Sequence, residues 1–242
     1  ATCSIRGKDR VGLIGRSNSA GIIKLDCLGN EGSVEATYQA AAGILGNAND
    51  GSIAYITNCY STGHIKAGSG KNAAQICGWL GKVGARITNC WSTSLIEGYD
   101  SQSKLFCRFS SNTTLTNCFS IDGDGTQAVR KADYEFASGE ITWELNGKST
   151  EKPVWFQKLG TDLVPVLFAD HGIVVEKDGT FTNMGGDAIE NVEATLGETA
   201  SVYDVQGRLV RPAMPVSQAL QGLPQGMYIL RGASVSRKVL VK

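Results

Sequence analysis

Ile56-Thr57-Asn58-Cys59-Tyr60-Ser61-Thr62 decides how this chain is read, because it recurs. Ile87-Thr88-Asn89-Cys90-Trp91-Ser92-Thr93 repeats it, as does Leu115-Thr116-Asn117-Cys118-Phe119-Ser120. Leu25-Asp26-Cys27-Leu28 is a weaker copy, and Thr2-Cys3-Ser4 reads as the tail of one more. Successive cysteines in these copies lie 24, 32, 31 and 28 residues apart (27−3, 59−27, 90−59, 118−90). A second signature precedes the copies: Gly12-Leu13-Ile14-Gly15, Gly43-Ile44-Leu45-Gly46 and Gly78-Trp79-Leu80-Gly81, degenerating to Phe106-Cys107-Arg108-Phe109. Self-similarity at a nearly fixed period marks a repeat architecture.

Each unit reads as short β segments separated by Gly, Asn and Ser, with no helical stretch. Alone, such a unit cannot bury its apolar face. Stacking units about 4.8 Å apart pairs each strand with its copy and closes a continuous core. The expected fold is all-β, a parallel β-solenoid (β-helix) of about four coils over residues 1–125, with two or three strands per coil. Because terminal coils present open strand edges, caps are required.

Ser138-Gly139-Glu140-Ile141-Thr142-Trp143-Glu144-Leu145-Asn146-Gly147 predicts a short helix, with Ser138 as N-cap and Gly147 at C′. With the apolar stretch Pro153 to Leu167 it forms a helical and aromatic capping segment, 126–177, placed to cover the solenoid end. From about Asp178 short strands return. Ser201 to Val210 reads as a hairpin, Leu223-Pro224-Gln225-Gly226 as a turn, and Met227 to Arg231 and Lys238 to Lys242 as strands. Residues 178–242 therefore predict a small antiparallel β-sandwich.

Composition narrows the function. Lys+Arg and Asp+Glu both total 23 in 242 residues, so the chain lacks the basic excess of a nucleic-acid or membrane-surface binder. No apolar run reaches the roughly 20 residues of a membrane span. The 30 glycines suit many tight turns. The chain opens inside a repeat with no signal peptide at Ala1, which reads as a processed or truncated product. Seven cysteines, an odd number, exclude a complete disulfide framework. The in-register thiols read as packed small apolar groups, with a single Cys77–Cys107 bond as the alternative. Neither a zinc cluster nor a cofactor motif is present. Asp122-Gly123-Asp124-Gly125-Thr126 reads as a turn and not a calcium loop.

The Gly-x-x-Gly and Ile-Thr-Asn-Cys-aromatic-Ser unit resembles the GLUG repeat of bacterial surface proteins, adhesins and the non-catalytic parts of some secreted peptidases. Three features resemble the C-terminal sorting domain of type IX secretion: Tyr203-Asp204 with Gly207-Arg208, Leu223-Pro224-x-Gly226 with Tyr228, and the closing Lys238-Val239 to Lys242. These resemblances imply an extracellular or outer-membrane surface location in a Gram-negative bacterium and an adhesin-like context. They supply no catalytic residues.

The residues themselves also argue against an enzyme. The two histidines, His64 and His171, lie in turns with no nucleophile signature nearby. Asp26, Glu31, Glu35, Asp50, Glu97 and Asp100 occupy unrelated repeat positions, which speaks against an acidic catalytic groove. Tyr60, Trp91 and Phe119 are the ligand-binding candidates, because stacking aligns them as an aromatic ladder. Facing outward, the ladder suits a sugar ring or an apolar partner. Facing inward, it is core, and Trp79 also reads as core. Ile56 and Cys59 differ in strand parity, so both point inward only if the chain bends between them. Two functions follow: an adhesin-like binding or display protein whose partner is a glycan or a host or cell-surface protein, and a structural stalk presenting an upstream domain. A polysaccharide-cleaving β-helix enzyme is the distant third.

Overall fold

The computed structural model describes residues 4–17, 20–98, 106–107, 112–121, 127–184, 199–204, 206–224, 226–232 and 236–241. The first coil runs β1 (Ile5–Val11), β2 (Ile14–Arg16), β3 (Gly21–Asp26) and β4 (Gly29–Asn30). The second runs β5 (Val34–Ala41), β6 (Leu45–Ala48), β7 (Ser52–Thr57) and β8 (Tyr60–Ser61). The third runs β9 (Ile65–Ala67), β10 (Cys77–Leu80), β11 (Ala85–Thr88) and β12 (Trp91–Ser92). β13 (Ile96–Glu97), β14 (Thr114–Thr116) and β15 (Phe119–Ser120) belong to a fourth, and β16 (Val129–Arg130) follows.

Equivalent strands pair in parallel as four sheets, ordered β1-β5-β9-β13, β2-β6-β10, β3-β7-β11-β14 and β4-β8-β12-β15-β16. The chain is a parallel β-solenoid with three full coils and a fourth that meets the second sheet through the Cys77↔Cys107 bridge. Each full coil uses four short strands, where two or three were expected. The pairs Ala54↔Ala85, Tyr60↔Trp91 and Ile65↔Ile96 share a spacing of 31 residues (85−54, 91−60, 96−65). Ile44, Leu45, Ile56, Cys59, Ile76, Ile87 and Cys90 form the fully buried interior.

The repeat asparagine resolves the parity problem. Asn58, Asn89 and Asn117 hold φ of 51°, 51° and 52°, the left-handed region that Asn tolerates better than most residues. That corner turns the chain between Ile56 and Cys59, and both side chains are completely buried.

Two alignments made from the sequence shift. Asp26 pairs with Thr57 and Gly29 with Tyr60, so Cys27 sits at the asparagine corner, with φ 54°, and Leu28 occupies the cysteine column. Cys27 is accordingly exposed. Leu45 pairs with Cys77, so Gly43 to Gly46 matches Gln75 to Gly78 and not Gly78 to Gly81. Trp79 is half-buried, not core. The described cysteines are all free thiols, Cys77 and Cys107 included. Cys3 and the Asp122–Thr126 turn lie outside the described residues.

The predicted helix is α2 (Glu140–Leu145), and an unforeseen helix, α1 (Asp133–Ala137), precedes it. Ser138 ends α1, and Gly139, at φ 93°, starts α2. A Cβ on Gly139 would come within 2.9 Å of Leu159 and 3.0 Å of Val174, and its φ is left-handed, so glycine suits the junction between the two helices. Gly147 holds its expected place after α2, at φ 67°. A two-stranded sheet, β17 (Val174–Lys177) and β18 (Thr180–Asn183), completes this part of the chain.

The chain divides into two compact units, Ala1–Thr182 and Asn183–Lys242. The capping segment and β17 therefore belong with the solenoid. The second unit holds β19 (Thr199–Asp204), β20 (Leu209–Pro215), helix α3 (Val216–Ala219), β21 (Gly226–Arg231) and β22 (Ser236–Val241). Its strands form one antiparallel sheet, ordered β20-β19-β21-β22. Val216 and Ala219 of α3 pack there with Ala200, Val202 and Leu230. Among the described residues no helix is long and apolar enough to cross a membrane.

Replacing Asn89 tests the corner. Asn89→Val should destabilise the chain by about 1–2 kcal/mol more than Asn89→Gly in chemical denaturation, because only glycine escapes the left-handed penalty.

Candidate functional surface

Register brings the three candidate residues together. Tyr60 pairs with Trp91, and Trp91 with Phe119. The Tyr60 and Trp91 rings stack with centroids 5.0 Å apart and planes 10° from parallel. The column ends at Gly29, where a Cβ would fall 2.2 Å from the Tyr60 ring, so a side chain there would collide with it.

The ladder points away from the solenoid interior, yet it is not a surface. Tyr60, Trp91 and Phe119 are 4%, 0% and 5% exposed. Phe136, Ile141, Leu145 and Trp155 cover them. Trp155 lies 6.1 Å from Tyr60 and 6.2 Å from Trp91, and Phe136 lies 5.6 Å from Trp91. The open platform suited to a sugar ring is therefore absent at these residues. Within the segment expected to cap the solenoid end, β16 adds to β15 while Phe136, Ile141, Leu145 and Trp155 strap the flank.

Hydrogen bonds fix this strap. Asn117 Nδ2 donates to Asn89 Oδ1 at 2.9 Å and to the Glu144 carbonyl at 2.8 Å, tying the repeat corner to α2. Buried Gln157 accepts from Thr142 Oγ1 at 2.6 Å and donates to the Phe136 carbonyl at 2.8 Å. Asn146 Oδ1 accepts from the backbone N–H groups of Val154 and Trp155, both at 3.0 Å. Tyr60 donates to Glu31 Oε1 at 2.7 Å. Burial, with the Glu31 carboxylate beside it, pushes the Tyr60 phenol well above its ordinary range.

The other candidates separate. His64 lies outside β9 and meets Glu97 at 3.0 Å, as does Lys66. His171 Nδ1 is 2.7 Å from Asp162 Oδ2, which also accepts from the Lys158 N–H at 2.6 Å, so the pair pins a loop. Glu35 and Glu97, read as unrelated, share one column with Lys66 between them. The lysine holds the Glu97 carboxyl below its usual range. Burial pushes the Cys107 thiol up to about 12 and Cys77 and Cys90 upward as well, which disfavours their thiolate forms. No group of three or more metal-binding side chains occurs among the described residues.

Sequence reasoning missed the surface beside α1. Thr93, Tyr134, Phe136, Ala137, Leu163 and Val164 line a groove of about 400 Å³. Tyr134 is 73% and Leu163 74% exposed. The absent signal is understandable, since α1 itself was not foreseen. Comparison of the chain with protein-family models, with curated proteins and with solved structures finds no match in any of the three.

Trp91→Ala should cost about 3–5 kcal/mol in chemical denaturation, the range for emptying a buried aromatic site. A cost under about 1 kcal/mol, the range of an ordinary surface substitution, would mean the strap does not seal the ladder.

Proposed function

We propose that this chain is a non-catalytic display module of a Gram-negative bacterial surface, with the solenoid as a stiff arm and the C-terminal unit as its export and attachment signal. The observation that carries this reading is the covered ladder. The side chains best suited to hold a ligand are spent on clamping residues 132–167 to the solenoid, so their work is rigidity. The GLUG-like repeat and the sorting-like motifs of the second unit support the location. In that unit Asp204 accepts from the Gln206 and Arg208 N–H groups, each at 2.9 Å, and from Arg208 Nε at 2.6 Å, so the Tyr203-Asp204 to Gly207-Arg208 motif forms one closed turn.

An adhesin-like binding role stays beside it, favoured by the groove at α1. Exposed Tyr134 next to Thr93 and Asp133 offers an aromatic face with polar neighbours, the chemistry a glycan or a host protein recognises. Polysaccharide cleavage is the least supported. By the hydrolase route it needs two carboxylates free to face a glycosidic bond, and in the shared column Glu97 is held by Lys66 and His64.

The test is a protease-accessible reporter joined to the N-terminus and expressed in a bacterium that has the type IX route. The intact chain should carry the reporter to the cell exterior, and removal of residues 183–242 should retain it inside. Equal exposure with and without those residues would refute the assigned role of the second unit.

A further inference from the structure

Two hollows meet at Asp133. The groove beside α1, of about 400 Å³, counts Thr93, Asp133, Tyr134 and Leu163 among its walls. A second hollow, of about 610 Å³, is lined by Leu95, Ile121, Arg130, Lys131, Ala132 and Asp133. Because Asp133 lines both, they form one trough between the solenoid and its strap. Leu95, Tyr134 and Leu163 are each more than half exposed on it. Large apolar side chains left bare together mark a surface that meets a ligand.

The charges of the trough differ from those of the rest of the strap. Elsewhere they pair: Lys131 meets Glu135 at 2.9 Å and Glu140 at 2.6 Å, and Lys148 meets Glu144 at 3.0 Å. Arg130 and Asp133 carry opposite charges on the walls of one hollow, and both are exposed. Yet no ion pair joins them, and neither side chain has a partner among the described residues. A free guanidinium takes a carboxylate, often through two hydrogen bonds. A free carboxylate accepts from hydroxyls. An exposed tyrosine face takes the apolar face of a ring. Ring, hydroxyls and carboxylate belong together in a uronic-acid sugar.

We propose that this trough binds an acidic oligosaccharide. One ring lies on Tyr134, its hydroxyls donate to Asp133, and Arg130 holds the carboxylate of a nearby uronic acid. The assignment rests on the adhesin-like reading of the groove and gives it a ligand class. The dimensions agree, since concave sites of roughly 300–1,000 Å³ hold small molecules, whereas a folded partner needs on the order of 1,000 Å² of matched surface. A neutral glycan leaves Arg130 unpaired, and an acidic peptide lacks both the sugar ring and its hydroxyls.

The full chain would be titrated by calorimetry with linear tetrasaccharides of galacturonic, glucuronic and mannuronic acid, with their methyl esters, and with tetraglutamate. At least one acid should bind saturably and about tenfold more tightly than its ester, the scale of one charge-assisted contact. Tyr134→Ala should weaken that binding about tenfold, and Arg130→Gln should bring acid and ester to equal affinity. Both side chains are exposed, so circular dichroism should show the fold intact. Tyr55→Ala, at an exposed tyrosine of the third sheet, should change nothing. The proposal is overturned if acid and ester bind the unaltered chain equally, or if binding survives Tyr134→Ala undiminished. Tetraglutamate binding as tightly as the sugars overturns it too, while leaving the groove an adhesin-like site for peptides. No binding of any probe overturns both the ligand class and the groove's binding role.

Discussion

Parallel hydrogen bonding between coils, in a register near 31 residues, is the constraint from which the rest of the solenoid follows. It sets residue over equivalent residue, so each position of the repeat becomes a column that must tolerate itself. Apolar columns do so by packing. A polar column must satisfy its own hydrogen bonds, and serine and glutamine do this in the interior. Ser61, Ser92, Ser94, Ser120 and Gln75 are fully buried. Ser61 and Ser94 share a hydrogen bond of 2.7 Å, Ser120 donates to Gln75 Oε1 at 2.7 Å, and Gln75 donates to the Ser94 carbonyl at 3.2 Å. A connected network of this kind rigidifies a core, whereas a broken one would destabilise it. The serine after each repeat aromatic is there for that reason.

Aromatic residues solve their column differently. They turn outward at the corner that Asn58, Asn89 and Asn117 create, and stacking them leaves a broad apolar strip on the flank. Such a strip demands cover. The strap supplies it through Phe136, Ile141, Leu145 and Trp155, and aromatic pairs of this geometry add about 0.5–1.5 kcal/mol each beyond burial. The same ladder that suggested a ligand site thus joins the strap to the repeats. This leaves the outer charges and the groove by α1 as the surfaces on which recognition can act.

The period, the parallel stacking and the ladder were legible in Ile56 to Ser120 because like residues recur where columns need them. Burial of the ladder was not, because strand parity cannot see a left-handed corner, and the covering segment lies outside the repeat. Cys27 misled because identity was followed over spacing: the 32-residue step to Cys59 exceeds the 31-residue register by one. Gly78 misled likewise, since Gln75 had replaced the equivalent of Gly43. α1 was missed because its five residues carry no clear helical period, and Gly139, at φ 93° and close to Leu159 and Val174, separates it from the predicted helix. α3 provides the packing surface of the C-terminal sheet, from a segment too short to announce itself as a helix.

The column principle is tested most directly by spin labels at Lys24 and Arg86, on a background with Cys3 and Cys27 changed to serine. Both positions are exposed, and Tyr55 stands between them in the third sheet. Two interstrand spacings put the labelled backbone sites about 10 Å apart, so strong dipolar broadening is predicted. A spectrum with no broadening would place these coils out of register and contradict the account.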